Sequence, residues 1–168
     1  VKEAQAGMYK LLIFPLMLVV WLSLYASGID QELSMKSYYK GKQAVNRGAH
    51  AAALQLDKIA LAEGIFQLDP IKARAEAEKM IYRNLSLDET GKPTSQSFIR
   101  TPVQIVHFEV LDASLSYPFH YELDSYDFQT TFYRPAVVIV MKLTYPRIFS
   151  INNPVEWNII GSAQLVPL

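Results

Sequence analysis

The residues able to do chemistry are few. Histidine occurs at His50, His107 and His120 only. His120, Glu122 and Asp124 alternate along one short stretch, so a strand places all three on one face. An imidazole with two carboxylates is a ligand set for a divalent cation. Ligands two apart on a strand stand about 6–7 Å from one another and make a poor cage without help from elsewhere. A solvated polar face is therefore expected there, with a metal as the competing reading. Asp124 with Asp127 is a similarly incomplete set for calcium. The chain has no cysteine, which removes disulfides, thiolate metal sites and cysteine nucleophiles. Neither a GxSxG nor a phosphate-cradling glycine loop occurs. No catalytic residue, no cofactor and no resident metal are expected.

The stretch around which everything else must be arranged is apolar. Leu11 to Ile29, LLIFPLMLVVWLSLYASGI, carries no charge and lies between Lys10 and Asp30. As a helix at about 1.5 Å per residue it is roughly 28 Å long, close to a hydrocarbon core of about 30 Å. Trp21 and Tyr25 near one end and Tyr9 near the other match the aromatic belts of a membrane span. The side chains expected in lipid, or in the dry core of a filament, are Leu11, Leu12, Ile13, Phe14 and Leu16 ahead of the midpoint. Met17, Leu18, Val19, Val20, Trp21, Leu22 and Leu24 follow. Pro15 removes a backbone donor within this run, so a kink or local loosening is expected there. Lys2 and Lys10 favour a cytoplasmic start. Glu3 is costly near lipid unless paired, and Lys2 or the free amine of a neighbouring copy could pair with it; a solvated acid is the alternative.

The 168 residues suit one domain plus an anchor. Lys and Arg balance Asp and Glu at 16 each, net charge 0, so no basic face recruits nucleic acid. Mean hydropathy is +0.09, with the excess concentrated in the first 29 residues. The sequence begins at Val1, and a retained apolar run behind a short charged lead is what prepilin-type processing leaves. A start of no biological meaning is the other reading.

Beyond Asp30 the helical period continues through Val45, Ala49, Ala52, Leu56 and Ile59. One long helix, or two nearly collinear ones, is expected from about Glu3 to about Phe66, interrupted only by Gly41 and Gly48. The small residues of AHAAALQL (Ala49 to Leu56) let another element approach closely. Asp69-Pro70 is an N-cap followed by proline at the first helical position, starting a helix that runs to about Leu85. Ser86 to Pro102 is the main loop, the segment expected to be mobile and displayed. Its Thr90, Thr94, Ser95 and Ser97 are candidate sugar acceptors, as is the Asn84-Leu85-Ser86 sequon, against the plainer expectation of an unmodified loop.

After Pro102 the period becomes two. Val103 to Leu111 is a strand with Val106, Phe108 and Val110 on one face. Phe119 to Leu123 and Thr130 to Tyr133 are shorter strands. AVVIVMKLTY (Ala136 to Tyr145) is apolar on both faces near its start and so should be central. A turn at Asn152-Asn153-Pro154 leads to a half-exposed last strand from Val155. The fold class is α+β. Residues 1–66 form the N-terminal helix, with 11–29 its membrane or filament segment, and 67–168 form an exported domain. Its antiparallel sheet of about four or five strands packs one face on the distal half of the long helix. The aromatic crowd from Tyr117 to Tyr145 is assigned to core packing and subunit contacts rather than to a binding patch or electron hopping.

Two stretches, FPLMLVVWLSLYASGIDQEL and KQAVNRGAHAAALQLD, resemble the N-terminal region of TadE-like proteins of the tight-adherence (Flp) pilus system. The shared features are Gly7 in a polar lead, Pro15 just inside the span, the Asn46-Arg47 pair and the alanines from Ala49 to Ala53. AVVIVMKLTYP and the last strand WNIIGSAQL fit as well. The family often has a glutamate a few residues before the span, whereas here Glu3 lies further upstream, with Gln5 and Lys10 between. The resemblance implies a pilin-like subunit, cut by a prepilin peptidase, held in the cytoplasmic membrane and then extruded by assembly machinery. Its product would be an extracellular filament of copies of itself, of use in adhesion. The alternative is a single-pass membrane-anchored component of a secretion or conjugation apparatus. A third reading is an anchored binding domain using the Ser86 to Pro102 loop. A rigid stalk suits a filament subunit and a flexible linker an anchored domain, and no Pro- or Gly-rich linker separates Ile29 from Ala49.

Overall fold

The computed structural model describes residues 2–149 and 153–166, with residues 2–10 as helix backbone only. Lys2 and Glu3, as a charge pair, and Asn152 of the Asn152-Asn153-Pro154 turn lie outside what is described. Helix α1 (Lys2–Ala53) is a single element of 52 residues and is continuous through Pro15. It stops short of the expected Phe66. The Asp57 carboxylate accepts the amide of Ile59 at 2.8 Å and caps a separate short helix, α2 (Lys58–Ala62). The chain then reverses: Asp57 N–H donates to Gln67 O at 2.9 Å and Asp69 N–H to Gln55 O at 2.8 Å. This reversal delivers α3 (Pro70–Leu85) back along α1.

Asp69 caps α3, accepting from the amides of Ile71 and Lys72 at 3.1 and 3.0 Å. The Lys72 ammonium, and then those amide bonds, hold its carboxyl below the ordinary aspartate value. Ser86 ends the helix in the left-handed region, with φ 54°. The buried face of α3, Ala73, Ala77, Ile81 and Leu85, shares one core with Ala49, Ala52 and Ala53 of α1. Small residues on both helices permit this approach. A methyl added at Gly48 would stand 2.7 Å from the Ile81 side chain and 3.2 Å from Ala77 O. The Arg47 guanidinium donates to Asn84 Oδ1 at 2.5 Å and fastens the same pair of helices.

Among the described residues five strands follow: β1 (Gln104–Leu111), β2 (Phe119–Leu123), β3 (Phe128–Phe132), β4 (Ala136–Tyr145) and β5 (Val155–Gln164). They do not form one sheet. β1-β4-β5 make an antiparallel sheet with β4 central, and β2-β3 make a separate hairpin. One face of the larger sheet, with Val137, Ile139, Met141 and Leu143 of β4, belongs to the core shared with α1 and α3. Ala136 and Val138 on the other face pack with Tyr121 and Phe132 of the hairpin. β4 is apolar on both faces because both are covered.

The β1 face differs from the expected one. Val106 is an extra residue in a bulge between Ile105 and His107. A bulge shifts the alternation by one. Ile105 therefore joins Phe108 and Val110 against the core, and Val106 is exposed.

The Ser86 to Pro102 segment is fastened at several points. Leu87, Ser97 and Ile99 are buried. Ser97 Oγ donates to Leu85 O at 2.6 Å, and Val103 N–H donates to Gly91 O at 2.9 Å.

Candidate membrane and assembly surface

From Leu11 to Tyr25, α1 is bare. Every residue from Leu11 to Tyr25 is exposed, including Leu11, Leu12, Ile13, Phe14, Pro15, Leu16, Met17, Leu18, Val19, Val20, Trp21, Leu22 and Leu24. This is one helix long and apolar enough to cross a bilayer. Leaving such side chains in water costs on the order of 1.5–3 kcal/mol for each of the larger ones. Ser23, the polar exception between Trp21 and Tyr25, returns its hydroxyl to Val19 O at 2.8 Å. Trp21 and Tyr25 stack with centroids 5.7 Å apart and planes 11° from parallel, giving one amphipathic aromatic patch near the C-terminal end of the run.

Cover begins abruptly. Ala26, Ser27 and Ile29 are half-buried and Asp30 is fully buried. The Asp30 carboxylate accepts the amide of Ile148 at 2.9 Å and that of Phe149 at 3.1 and 3.2 Å. The Tyr145 hydroxyl donates to it at 3.3 Å. Burial, and then the Asp30 charge, push the Tyr145 phenol above its ordinary range. Hydrogen bonds to an ionised acceptor are about twice as strong as neutral ones, so this carboxylate pins the β4–β5 connection to the helix where the apolar run ends.

Further along α1, Ser34 and Ser37 are buried, their hydroxyls returned to Gln31 O and Leu33 O at 2.9 Å. The Lys42 ammonium donates to Ile160 O. Gly41 lies against β4 and β5, where an added methyl would stand 2.6 Å from Ile159 Cδ1. The second half of α1 is thus the spine of the domain, and no linker separates it from the first half.

The chemistry-bearing residues gather only in part. His120 Nε2 and Glu122 Oε1 lie 3.0 Å apart on the exposed side of the hairpin, and His120 Nδ1 is 3.3 Å from Thr131 Oγ1. Asp124 is not with them, because it opens the 3-10 turn Asp124–Tyr126 that ends the strand alternation. Asp127 follows in the left-handed region. Among the described residues no three His, Asp or Glu side chains form a group able to hold a metal ion. His50 is exposed on α1.

A cluster not foreseen from the sequence joins the sheet to the hairpin. Tyr121 Oη donates to Glu109 Oε2 at 2.5 Å, and His107 Nε2 lies 3.1 Å from that oxygen and 3.2 Å from the phenol. Burial and the Glu109 carboxylate raise the Tyr121 phenol far above its usual range. Its hydroxyl is held as a donor to Glu109. The spacing of His107 and Glu109 was visible in the sequence, but their partner comes from a different sheet.

Among the sugar-acceptor candidates, Asn84 Nδ2 donates to Met80 O at 2.7 Å while its oxygen accepts from Arg47. Ser97 is buried, and Thr94 Oγ1 donates to Ser86 O at 2.8 Å. Ser95 is exposed. No protein-family model, curated protein or solved structure matches the chain.

Proposed function

We propose that this protein is a pilin-like structural subunit that polymerises through the first half of α1. The resemblance of its helix to TadE-like proteins points the same way. The observation that carries the reading is the division of one unbroken helix into a bare apolar half and a half built into a domain. A flexibly tethered domain needs no such stiffness, whereas a filament subunit does, because its neighbours register against a fixed rod.

The mechanism is physical. In the membrane the rod is satisfied by lipid. In the filament the rods of neighbouring copies replace lipid, through heterologous contacts that do not close and so extend indefinitely. Between helices in lipid there is no hydrophobic drive, so close approach at small residues has to supply contact energy. Gly28 suits this role: unlike Gly41 and Gly48, whose missing side chains are replaced by Ile159 and Ile81, it faces nothing within 4 Å. Once the rod is in an aqueous exterior, exposing it again is prohibitive at about 25 cal/mol per Å².

Purified full-length protein transferred from detergent to detergent-free buffer should form fibres visible by electron microscopy. Isolated particles without fibrous order would overturn the proposal. Sheared cell-surface material should contain the same fibres.

A further inference from the structure

We propose that the β4–β5 tip, Ile148 and Phe149 with Arg147 beside them, is a second membrane contact that lies in the headgroup–acyl boundary of the bilayer holding α1. The inference rests on the membrane-anchored state of the reading above, before assembly, and adds to it a surface of the folded domain.

Depth along the helix carries the argument. The charge-free run ends at Ile29, and Asp30 is the first ionisable residue after it. The amides of Ile148 and Phe149 sit 2.9–3.2 Å from the Asp30 carboxylate, so this tip is held level with the end of the span. Cover on α1 begins still lower, at Ala26, about 6 Å toward the span at 1.5 Å per residue. The Ile148 and Phe149 side chains are 53% and 55% exposed, although their backbone is pinned. Two large apolar side chains fixed at the water boundary of an apolar rod, with no linker to lift them away, meet lipid as their nearest apolar medium. Arg147 supplies what an interfacial anchor uses for phosphate oxygens. It is half-buried, with Nε donating to Asn153 O at 3.1 Å. The surface becomes charged just above this level, where Glu32 and Lys36 form an exposed ion pair at 2.6 Å.

The absence of cysteine makes the test direct. Leu18→Cys, Phe149→Cys and Ile59→Cys, each in the full chain, are labelled with a nitroxide. Each is diluted with unlabelled protein in phosphatidylcholine–phosphatidylglycerol vesicles. Collisions with oxygen and with a water-soluble nickel chelate then report depth. Ile59 lies in α2, at the other end of the domain's helical spine, and is exposed. The label at 149 should be shielded from nickel several-fold relative to that at 59, and less deeply than that at 18. Ile148→Cys should repeat the pattern of 149, which guards against a local disturbance by one label. A label at 149 as open to nickel as at 59, with 18 shielded, overturns this inference and leaves the anchor intact. A label at 18 open to nickel overturns both.

Discussion

The Asp30 carboxylate accepts the backbone amide of Ile148 at 2.9 Å across 118 positions of sequence. A charged residue that looks like the mere edge of an apolar run is instead the point where the domain is fastened to it. Removing the carboxylate orphans the part-buried amides of Ile148 and Phe149, each at the lower end of about 1–3 kcal/mol. Asp30→Ala should therefore lower unfolding free energy by at least about 2 kcal/mol. Asp30→Asn, which keeps one acceptor, should lose less. Denaturant titration in detergent measures both, and equal stability of Asp30→Ala and the parent would remove the clamp from the account.

The bond from Tyr121 to Glu109 gives the hairpin a pH limit. The folded-state phenol lies above its unfolded value of about 10, so its contribution is fully present below that value and declines as pH rises beyond it. Tyr82, Tyr117 and Tyr145 are raised as well. Tyr121→Phe should therefore flatten the alkaline fall in stability without abolishing it. An unchanged alkaline slope in the variant would show that the cluster does not couple hairpin to sheet.

Two glycines of α1 should respond in opposite ways. Gly48→Val drives a side chain into Ile81 and should cost about 1–3 kcal/mol of stability. Gly28→Val meets nothing within the chain, so thermal melting of the domain should stay put while fibre yield falls. Melting curves and negative-stain counts on the same preparations separate the two effects.

A charge at the middle of the rod should act on assembly alone. Leu18→Asp or Val19→Lys places an ion where insertion costs about 2.5–3.5 kcal/mol. Both side chains are exposed in the single chain and contribute nothing to its core. Fibres should be lost while the circular dichroism of the folded domain is kept. Normal fibres from either variant would contradict the role given to the rod.

The domain should survive without the rod. Among the described residues, the earliest of the hydrophobic core is Ala44, and Asp30 is the first fully buried position. A fragment of residues 26–168 should be soluble, monomeric by sedimentation and cooperative in melting. Aggregation or loss of the melting transition would mean that the first half of α1 has a folding role.

Local signals were legible in the sequence and long-range ones were not. The apolar run, the Asp69-Pro70 cap and the two-residue period after Pro102 each depend on neighbours a few residues away. The central place of β4 followed from its two apolar faces. The end of α1 at Ala53 depends on Gln55 and Asp57 pairing with Asp69 and Gln67. The division into three strands and two depends on where the hairpin folds back. The Val106 bulge moved one face of β1 by a residue, and the role of Asp30 depends on amides at the other end of the chain. Of His120, Glu122 and Asp124, alternation correctly joined the first two and failed at Asp124, where the strand gives way to a turn.

Because α1 runs without a break from the bare half to Ala53, it acts as a lever. From Asp30 to Ala53 it is about 35 Å long. A lean of 20°, an ordinary value for a helix in a bilayer, would swing its far end sideways by about 12 Å. A thicker bilayer, which stands the rod upright, would draw the distal end of the domain inward over its own footprint.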